Sequence, residues 1–235
     1  MAAKARGHPD DETTLTREGV VDAVLGELPL YWEGFWTTLR MTVLSGLLAL
    51  VLGTFLGACR VSPVPTLRGL GTVYVELLRN TPLTLVFFFF VFVAPQIGLK
   101  IPFFASAIVA LSLYTAAFVC EAVRSGVNSV GVGQAEAARA IGLTFPQTMR
   151  EVVLPQALRT VIPPLINVFI ALTKNTSIAA GFFVTELVAV GQRLATRNPA
   201  DVVEVLVGVA VLYLVITIPS GIAASRLERR TAFAR

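Results

Sequence analysis

The sequence predicts an all-α polytopic membrane protein with five transmembrane helices. Three observations lead there. Hydrophobic residues make up 55% of the 235 and charged residues only 14%, with a mean hydropathy of +0.75, whereas soluble domains carry about 25% charge. The apolar residues are gathered into five segments, each long enough to cross a bilayer that needs about 20 residues. Inside hydrocarbon every backbone N–H and C=O must be paired within the segment, so the segments are helices even where Phe87 to Phe90 would suit a strand.

The chain opens with a polar lead, residues 1–34, rich in acidic residues (Asp10, Asp11, Glu12, Glu18, Asp22) where a signal peptide needs an apolar core. The first span must therefore act as its own insertion signal. Val20, Val21, Val24, Leu25 and Leu28 fall at helical spacing, which predicts a short amphipathic helix over Val20 to Leu30 or a frayed tail on the membrane surface. The lone histidine, His8, lies in this lead and is read as solvated.

The spans follow at Phe35 to Ala58, Val73 to Ala94, Phe103 to Val123, Val161 to Phe183 and Val202 to Ala224. Asn80-Thr81-Pro82 interrupts the second and opens backbone groups, and Pro163-Pro164 kinks the fourth. Cys59 and Cys120 sit near span ends without CxxC spacing or a nearby histidine, so they are packing residues rather than metal or redox groups. Scattered basic residues make no stripe for nucleic acid.

Loop charge sets the orientation. With the C-terminus cytoplasmic, the inner face holds ten arginines (Arg60, Arg68, Arg124, Arg139, Arg150, Arg159, Arg226, Arg229, Arg230, Arg235) against six outer basic residues (Lys4, Arg6, Arg17, Lys100, Arg193, Arg197). Five spans then place the N-terminus outside and the loop between the third and fourth spans in the cytoplasm.

That loop is a polar, alanine-rich island between apolar segments. Gln134 to Ile141 are good helix formers and Gly142 is suited to a left-handed cap, which predicts a short helix. Its alanines leave room for a partner to close on the backbone, while Glu136 and Arg139 supply orienting charge. Pro155 is expected in the first turn of the returning helix. The same pattern also suits a helix lying on the bilayer.

Three groups inside or beside the spans invite function. Lys174 costs about 2.5–3.5 kcal/mol at mid-span, so it faces either a substrate pathway, with Asn175, Thr176 and Ser177 beside it, or a buried carboxylate. Glu121 and Arg124 share a helix face and read as a salt bridge. Glu76 and Arg79 have the same spacing, and read equally as a salt bridge or as pathway groups near Thr81.

Glu136-Ala137-Ala138, three residues, Gly142, nine residues, then Val152, one residue and Leu154-Pro155 resembles the EAA signature of permease subunits of bacterial ABC importers, with Val152 in place of the usual isoleucine. Tyr74 to Pro82, Glu121 to Gly126, Leu154 to Arg159 and Leu172 to Ser177 are similar to the polar amino acid subfamily, so the resemblance covers roughly Trp32 to Arg229; Ser125 departs from the usual glycine or alanine. The resemblance implies a type I importer permease of five spans, residues 35–229, whose coupling loop 132–155 inserts into a cytoplasmic ATPase through Glu136, Ala137, Ala138, Arg139, Gly142, Leu154 and Pro155. It implies a second permease subunit, identical or related, an extracytoplasmic solute-binding protein, and location in the bacterial plasma membrane with residues 230–235 as a cytoplasmic tail. It implies a polar amino acid substrate, glutamate or a related acidic or amide amino acid by Thr173 to Ala180, with Lys174, Asn175, Thr176, Ser177, Glu76, Arg79 and Thr81 as pathway residues. No cofactor is expected on this chain, for it has no G-x-x-x-x-G-K-[ST]; ATP and Mg are expected on the partner ATPase. An intramembrane enzyme lacks a histidine or paired aspartates in the spans, and a scaffold leaves Lys174 without a reason.

Overall fold

The structure is a computed structural model that describes residues 26–232. The first 25 residues of the predicted lead, with His8 and most of the Val20 to Leu30 segment, lie outside the described residues, and its last seven, Leu28 to Gly34, belong to the first helix. The described chain folds as helices: α1 Leu28–Val61, α2 Pro65–Asn80, α3 Leu83–Ile97, α4 Phe103–Asn128, α5 Val132–Ala140, α6 Phe145–Phe182, α7 Leu187–Arg197 and α8 Val202–Ala232. Four of them (α1, α4, α6 and α8) are long and apolar enough to cross a membrane singly, and α2 with α3 forms a fifth, broken span.

Helix α1 is built in stripes. Trp32, Phe35 and Trp36 pack on one another at its start, Trp32 and Phe35 stacked with centroids 5.4 Å apart, as interfacial aromatic anchors do. Gly34, Thr38, Ser45, Ala49, Gly53 and Gly57 are buried along one face, while Leu47, Leu48, Val51 and Phe55 are exposed on the other. Small residues are needed because lipid tails offer no hydrophobic drive, leaving close packing as the attraction. A Cβ on Gly53 would come within 2.7 Å of the Ala116 carbonyl, so α1 and the central helix α4 nearly touch backbone to backbone.

The second predicted span is not one helix. Its axis bends by 102° between α2 and α3. Pro82 forces Thr81 out of the helical region, to φ −99° and ψ 131°. The carbonyls so released are taken up locally, with Thr81 Oγ1 donating to the Leu77 carbonyl at 2.7 Å and Asn80 Nδ2 to that of Glu76 at 2.8 Å. Beyond the bend Leu83, Phe87 and Val91 fall on one face and pack into a core with Met41, Ala107, Ala110 and Leu111.

Two prolines account for two widened turns. Phe89–Val93 and Thr148–Val153 are π-helical and lie just ahead of Pro95 and Pro155. Leu154 N–H donates five residues back, to Met149. Pro155 sits in the first turn of the α-helical stretch Leu154–Asn175, as expected, and the widened turn ahead of it continues the axis back to Phe145. The helix starts at Phe145, with Thr144 and Gln147 forming a capping box and Pro146 in the first turn. It continues through Pro163 and Pro164 to Asn175 and tightens into a 3₁₀ segment, Thr176–Phe182.

Helix α7, unforeseen as an element, is short and amphipathic. Leu187, Val190 and Leu194 pack with Tyr31, Val205 and Val209 at the end of the bundle opposite α5. Cys120 is buried with Val75 and Ala117 and Cys59 is half-buried; both are free thiols, in keeping with their reading as packing residues.

Candidate functional site: the α5 loop and a polar face on α2, α4 and α6

The loop helix α5 ends in a built cap. Gly142 lies at φ +93°, its N–H donates to Arg139 at 3.0 Å, and Leu143 N–H donates to Ala138 at 3.1 Å. These are the two bonds of a Schellman cap, open to glycine because it lacks a Cβ. Glu136, Ala137 and Arg139 are exposed, as are Leu154 and Pro155. Ala138 is not available to a partner: it is buried, and α5 packs on the widened turn of α6. Three apolar residues stand out instead. Val132, Ile141 and Phe145 are 72%, 80% and 66% exposed, and their place in a polar loop was the available signal.

A second site lies where α1, α2 and α4 meet, beside a groove between α4 and α6. Glu121 of α4 takes three guanidinium groups. Arg60 Nη1 is 2.5 Å from Oε2, Arg124 forms the expected ion pair through both Nε, at 3.1 Å, and Nη2, and Arg79 Nη1 stands 3.9 Å from Oε2. Of the two readings of Glu76 and Arg79, the salt bridge does not form. Glu76 instead accepts from Asn80 Nδ2 at 3.1 Å, because the end of α2 lies across α4 and Glu121 is the nearer carboxylate to Arg79. The Arg79 guanidinium also rests 5.7 Å from the centre of the Phe118 ring. Phe118, with Tyr114, Thr115, Asn167, Ala171 and Asn175, lines a groove of about 300 Å³ between α4 and α6.

The adjacent residues Lys174 and Asn175 face different spaces. Lys174 is exposed and, with Ser177, Tyr213 and Thr217, lines a cavity of about 390 Å³ toward α8. Among the described residues it makes no ion pair, which disfavours a buried carboxylate within this chain. Thr176 is fully buried, its Oγ1 donating to the Thr173 carbonyl at 2.7 Å. It is a packing residue, not a lining one. Thr81 likewise turns its hydroxyl back to its own helix.

A carboxylate outside the predicted set joins α1, α7 and α8. Glu186 is fully buried and caps α7 by accepting from Ala189 N–H at 2.9 Å. Tyr213 donates to it at 2.9 Å and Thr38 at 3.3 Å. Burial pushes its carboxyl above the ordinary value, opposed by these N–H and hydroxyl donors.

Residues 49–233 match the family of binding-protein-dependent transport system inner membrane components. The chain belongs to this family. It is 40% identical over 210 residues to the probable glutamine ABC transporter permease protein GlnM of Bacillus subtilis, covering 89% of this chain and 97% of that one. It is 41% identical over 217 residues to the glutamate transport system permease protein GluC of Corynebacterium glutamicum, covering 87% and 95%. A solved amino acid ABC transporter with histidines superposes with a TM-score of 0.82 at 29% identity, covering 88% of this chain and 97% of that chain. As an inner membrane component of this family the chain is a transport subunit and not an enzyme, and among the described residues no three His, Cys, Asp or Glu side chains are grouped to hold a metal.

Proposed function

We propose that this inner membrane component is the permease subunit of an ATP-driven ABC importer for a polar amino acid, glutamate or a related acidic or amide amino acid. The observation that carries the reading is the α5 loop: a capped helix whose exposed Glu136, Ala137 and Arg139 are flanked by the bare apolar side chains of Val132, Ile141 and Phe145. Apolar anchors ringed by charge are what a docking surface for another protein offers. The EAA resemblance points to a cytoplasmic ATPase pair, which would bind ATP and Mg, as that partner, and α6 connects the loop to the groove. A second permease subunit completes the pathway, an extracytoplasmic solute-binding protein delivers substrate, and the arginine distribution supports an outer N-terminus and a cytoplasmic C-terminus.

The substrate class is supported by the names of relatives that match nearly end to end, for glutamine and glutamate. An L-cystine transport system permease protein of Bacillus subtilis also matches over 86% of this chain and an arginine one over 66%, so the names support a polar amino acid, and the acidic or amide class rests besides on the Thr173 to Ala180 stretch. Lys174 and Ser177 on one side of α6, and Asn175 on the other, are the pathway groups in this reading.

The test is uptake by the reconstituted complex with Glu136→Ala and Gly142→Ala. Both proteins should insert, and labelled glutamate or glutamine uptake should be lost. Full uptake with both residues changed would remove the coupling assignment, and a cognate binding protein that ignored glutamate and glutamine in favour of basic amino acids would remove the substrate class.

A further inference from the structure

The first half of the broken span runs along one end of the bundle. Helix α2 turns 102° from α3, and its two ends meet the other helices at one depth. Gly71 sits on Arg60, so close that a Cβ there would lie 2.7 Å from Arg60 Cγ, and farther along Arg79 reaches Glu121. Arg60 and Glu121 are bonded to each other, and Arg60 is in the last turn of α1. Helix α2 therefore lies where a span ends, at the level of the lipid headgroups.

The flanks of α2 differ as such a position requires. Leu67, Leu70, Tyr74 and Leu77 form one stripe at helical spacing, and the three leucines are exposed. Tyr74 shows which way the stripe faces, for its hydroxyl donates to the Leu113 carbonyl, in the middle of α4, at 2.8 Å. Arg79 is on the opposite flank and reaches the end of α4 that leads to the α5 loop. An apolar flank toward the acyl chains and a basic flank toward the headgroups are the two sides of a helix lying in the interface.

The basic flank is charged beyond its own balance. Glu121 gathers Arg60 at 2.5 Å, Arg79 at 3.9 Å and Arg124 around one carboxylate. The other carboxylate of α2, Glu76, is engaged by Asn80, and three arginines against both carboxylates still leave one positive charge over. Arg60 is enclosed, at 12% exposure, whereas Arg79 and Arg124 keep open edges at 43% and 34%. A phosphate diester has two unbridged oxygens that suit a pair of guanidinium groups. A soluble anion would satisfy the arginines alone; a phospholipid also covers the leucines.

We propose that α1, α2 and α4 form a site for an anionic phospholipid, with its phosphate on Arg79 and Arg124 and its acyl chains along Leu70 and Leu77. Basic pockets between membrane helices hold acidic headgroups in this way.

The full-length chain in a neutral detergent is titrated with phosphatidylglycerol and with phosphatidylcholine of the same acyl chains, and the rise in unfolding midpoint gives each apparent Kd. Phosphatidylglycerol should stabilise and saturate, less tightly as salt is raised, and phosphatidylcholine at the same concentrations should not. Arg79→Gln and Arg124→Gln should each weaken phosphatidylglycerol about fivefold, the worth of one basic side chain at an anionic membrane surface. Arg193→Gln, on α7 at the opposite end of the bundle, should leave it unchanged. Leu77→Asn, at an exposed position, should also weaken it and serves if the arginine variants do not fold. Glu121→Gln should be stabilised by phosphatidylglycerol more than the parent is, because the lipid phosphate replaces the anion that the cluster has lost. Equal stabilisation by the two lipids, or an unchanged Kd in folded Arg79→Gln, would overturn the site. So would inorganic phosphate or glycerophosphoglycerol, the headgroup without chains, protecting as well as the lipid, since the leucines would then be idle. If Arg79→Gln instead releases a second permease subunit while phosphatidylglycerol binds as before, the flank is a protein contact and the lipid site falls.

Discussion

The contact between α4 and α6 beside the loop gives a sharp test of how this fold is held together. Gly126 of α4 faces Val161 of α6, and a Cβ placed on residue 126 would lie 2.0 Å from Val161 Cγ2, with the next nearest atoms at 3.3 Å. Gly126→Ala therefore forces a displacement of about 1.4 Å at one methyl group, which is well inside the repulsive wall. Val161 is held in one preferred rotamer by its helix and is 5% exposed, so rotation is not a cheap escape. We expect a loss of about 2 kcal/mol, within the usual cost of overpacking, read as a fall of about 4–8 °C in the unfolding midpoint of the detergent-solubilised protein. Val161→Ala alone should cost about 1 kcal/mol, because in a membrane it forfeits packing rather than hydrophobic transfer. The decisive measurement is the double variant. Val161→Ala removes Cγ2 and leaves only contacts at 3.3 Å, so Gly126→Ala/Val161→Ala should recover about 1–2 kcal/mol relative to the sum of the single changes. A Gly126→Ala protein as stable as the parent, or a strictly additive double variant, would refute the reasoning.

Two further outcomes follow from the carboxylates Glu121, half-buried, and Glu186, buried. Glu121→Gln should lower stability by about 2 kcal/mol, since it leaves Arg60 and Arg124 without their anion in a half-buried site; an unchanged unfolding midpoint at low salt would contradict this. For Glu186, burial raises the folded-state pKa above that of the unfolded chain, so the folded state binds the proton more tightly. Its contribution is present below about pH 4.5 and is lost as pH rises through the folded value, and Glu186→Gln should flatten the fall in unfolding midpoint as pH rises above about 4.5 while leaving α7 docked. A parent and variant with parallel pH profiles would sink that reading.

Span number and the loop helix were legible because both depend on local chemistry. Apolar length fixes what can cross, and Gly142 marks a cap because few other residues hold φ near +90° without strain. The break at Asn80-Thr81-Pro82 was legible as an interruption but not as a 102° bend, since the angle is set by how Val75 on one side and Leu83 and Phe87 on the other seat against α4. The returning helix was legible from Pro155, which lies in the first turn of Leu154–Asn175, but its upstream extension was not: the widened turn Thr148–Val153 joins it to a further turn anchored by Thr144 and Gln147. Helix α7 was hidden by its polar flank: Gln192, Arg193, Thr196 and Arg197 face away from a buried stripe of only a few residues.

The groove shows why a pathway is harder to read than a span. Lys174 was conspicuous because insertion cost is a property of the residue, and Asn175 was named only as its neighbour. Successive helix positions differ by about 100°, so the two necessarily face different surroundings, and which of them borders α4 or α8 is decided by packing elsewhere. Asn167, Tyr114 and Phe118 carried no signal alone, since each is an ordinary occupant of a membrane helix. They acquire meaning when Gly126 lets α6 approach α4 near the loop while Ala171, farther along, leaves space between them. The same two helices thus touch at one end and part at the other. Bulk added at Gly126 and bulk added at Ala171 should therefore have different effects: the first strains the contact, whereas Ala171→Leu fills the groove beside Asn175 and should slow amino acid uptake by the reconstituted complex without lowering the unfolding midpoint. Full uptake with the groove filled would take Asn175 out of the pathway and leave Lys174, on the cavity toward α8, as its polar group on α6.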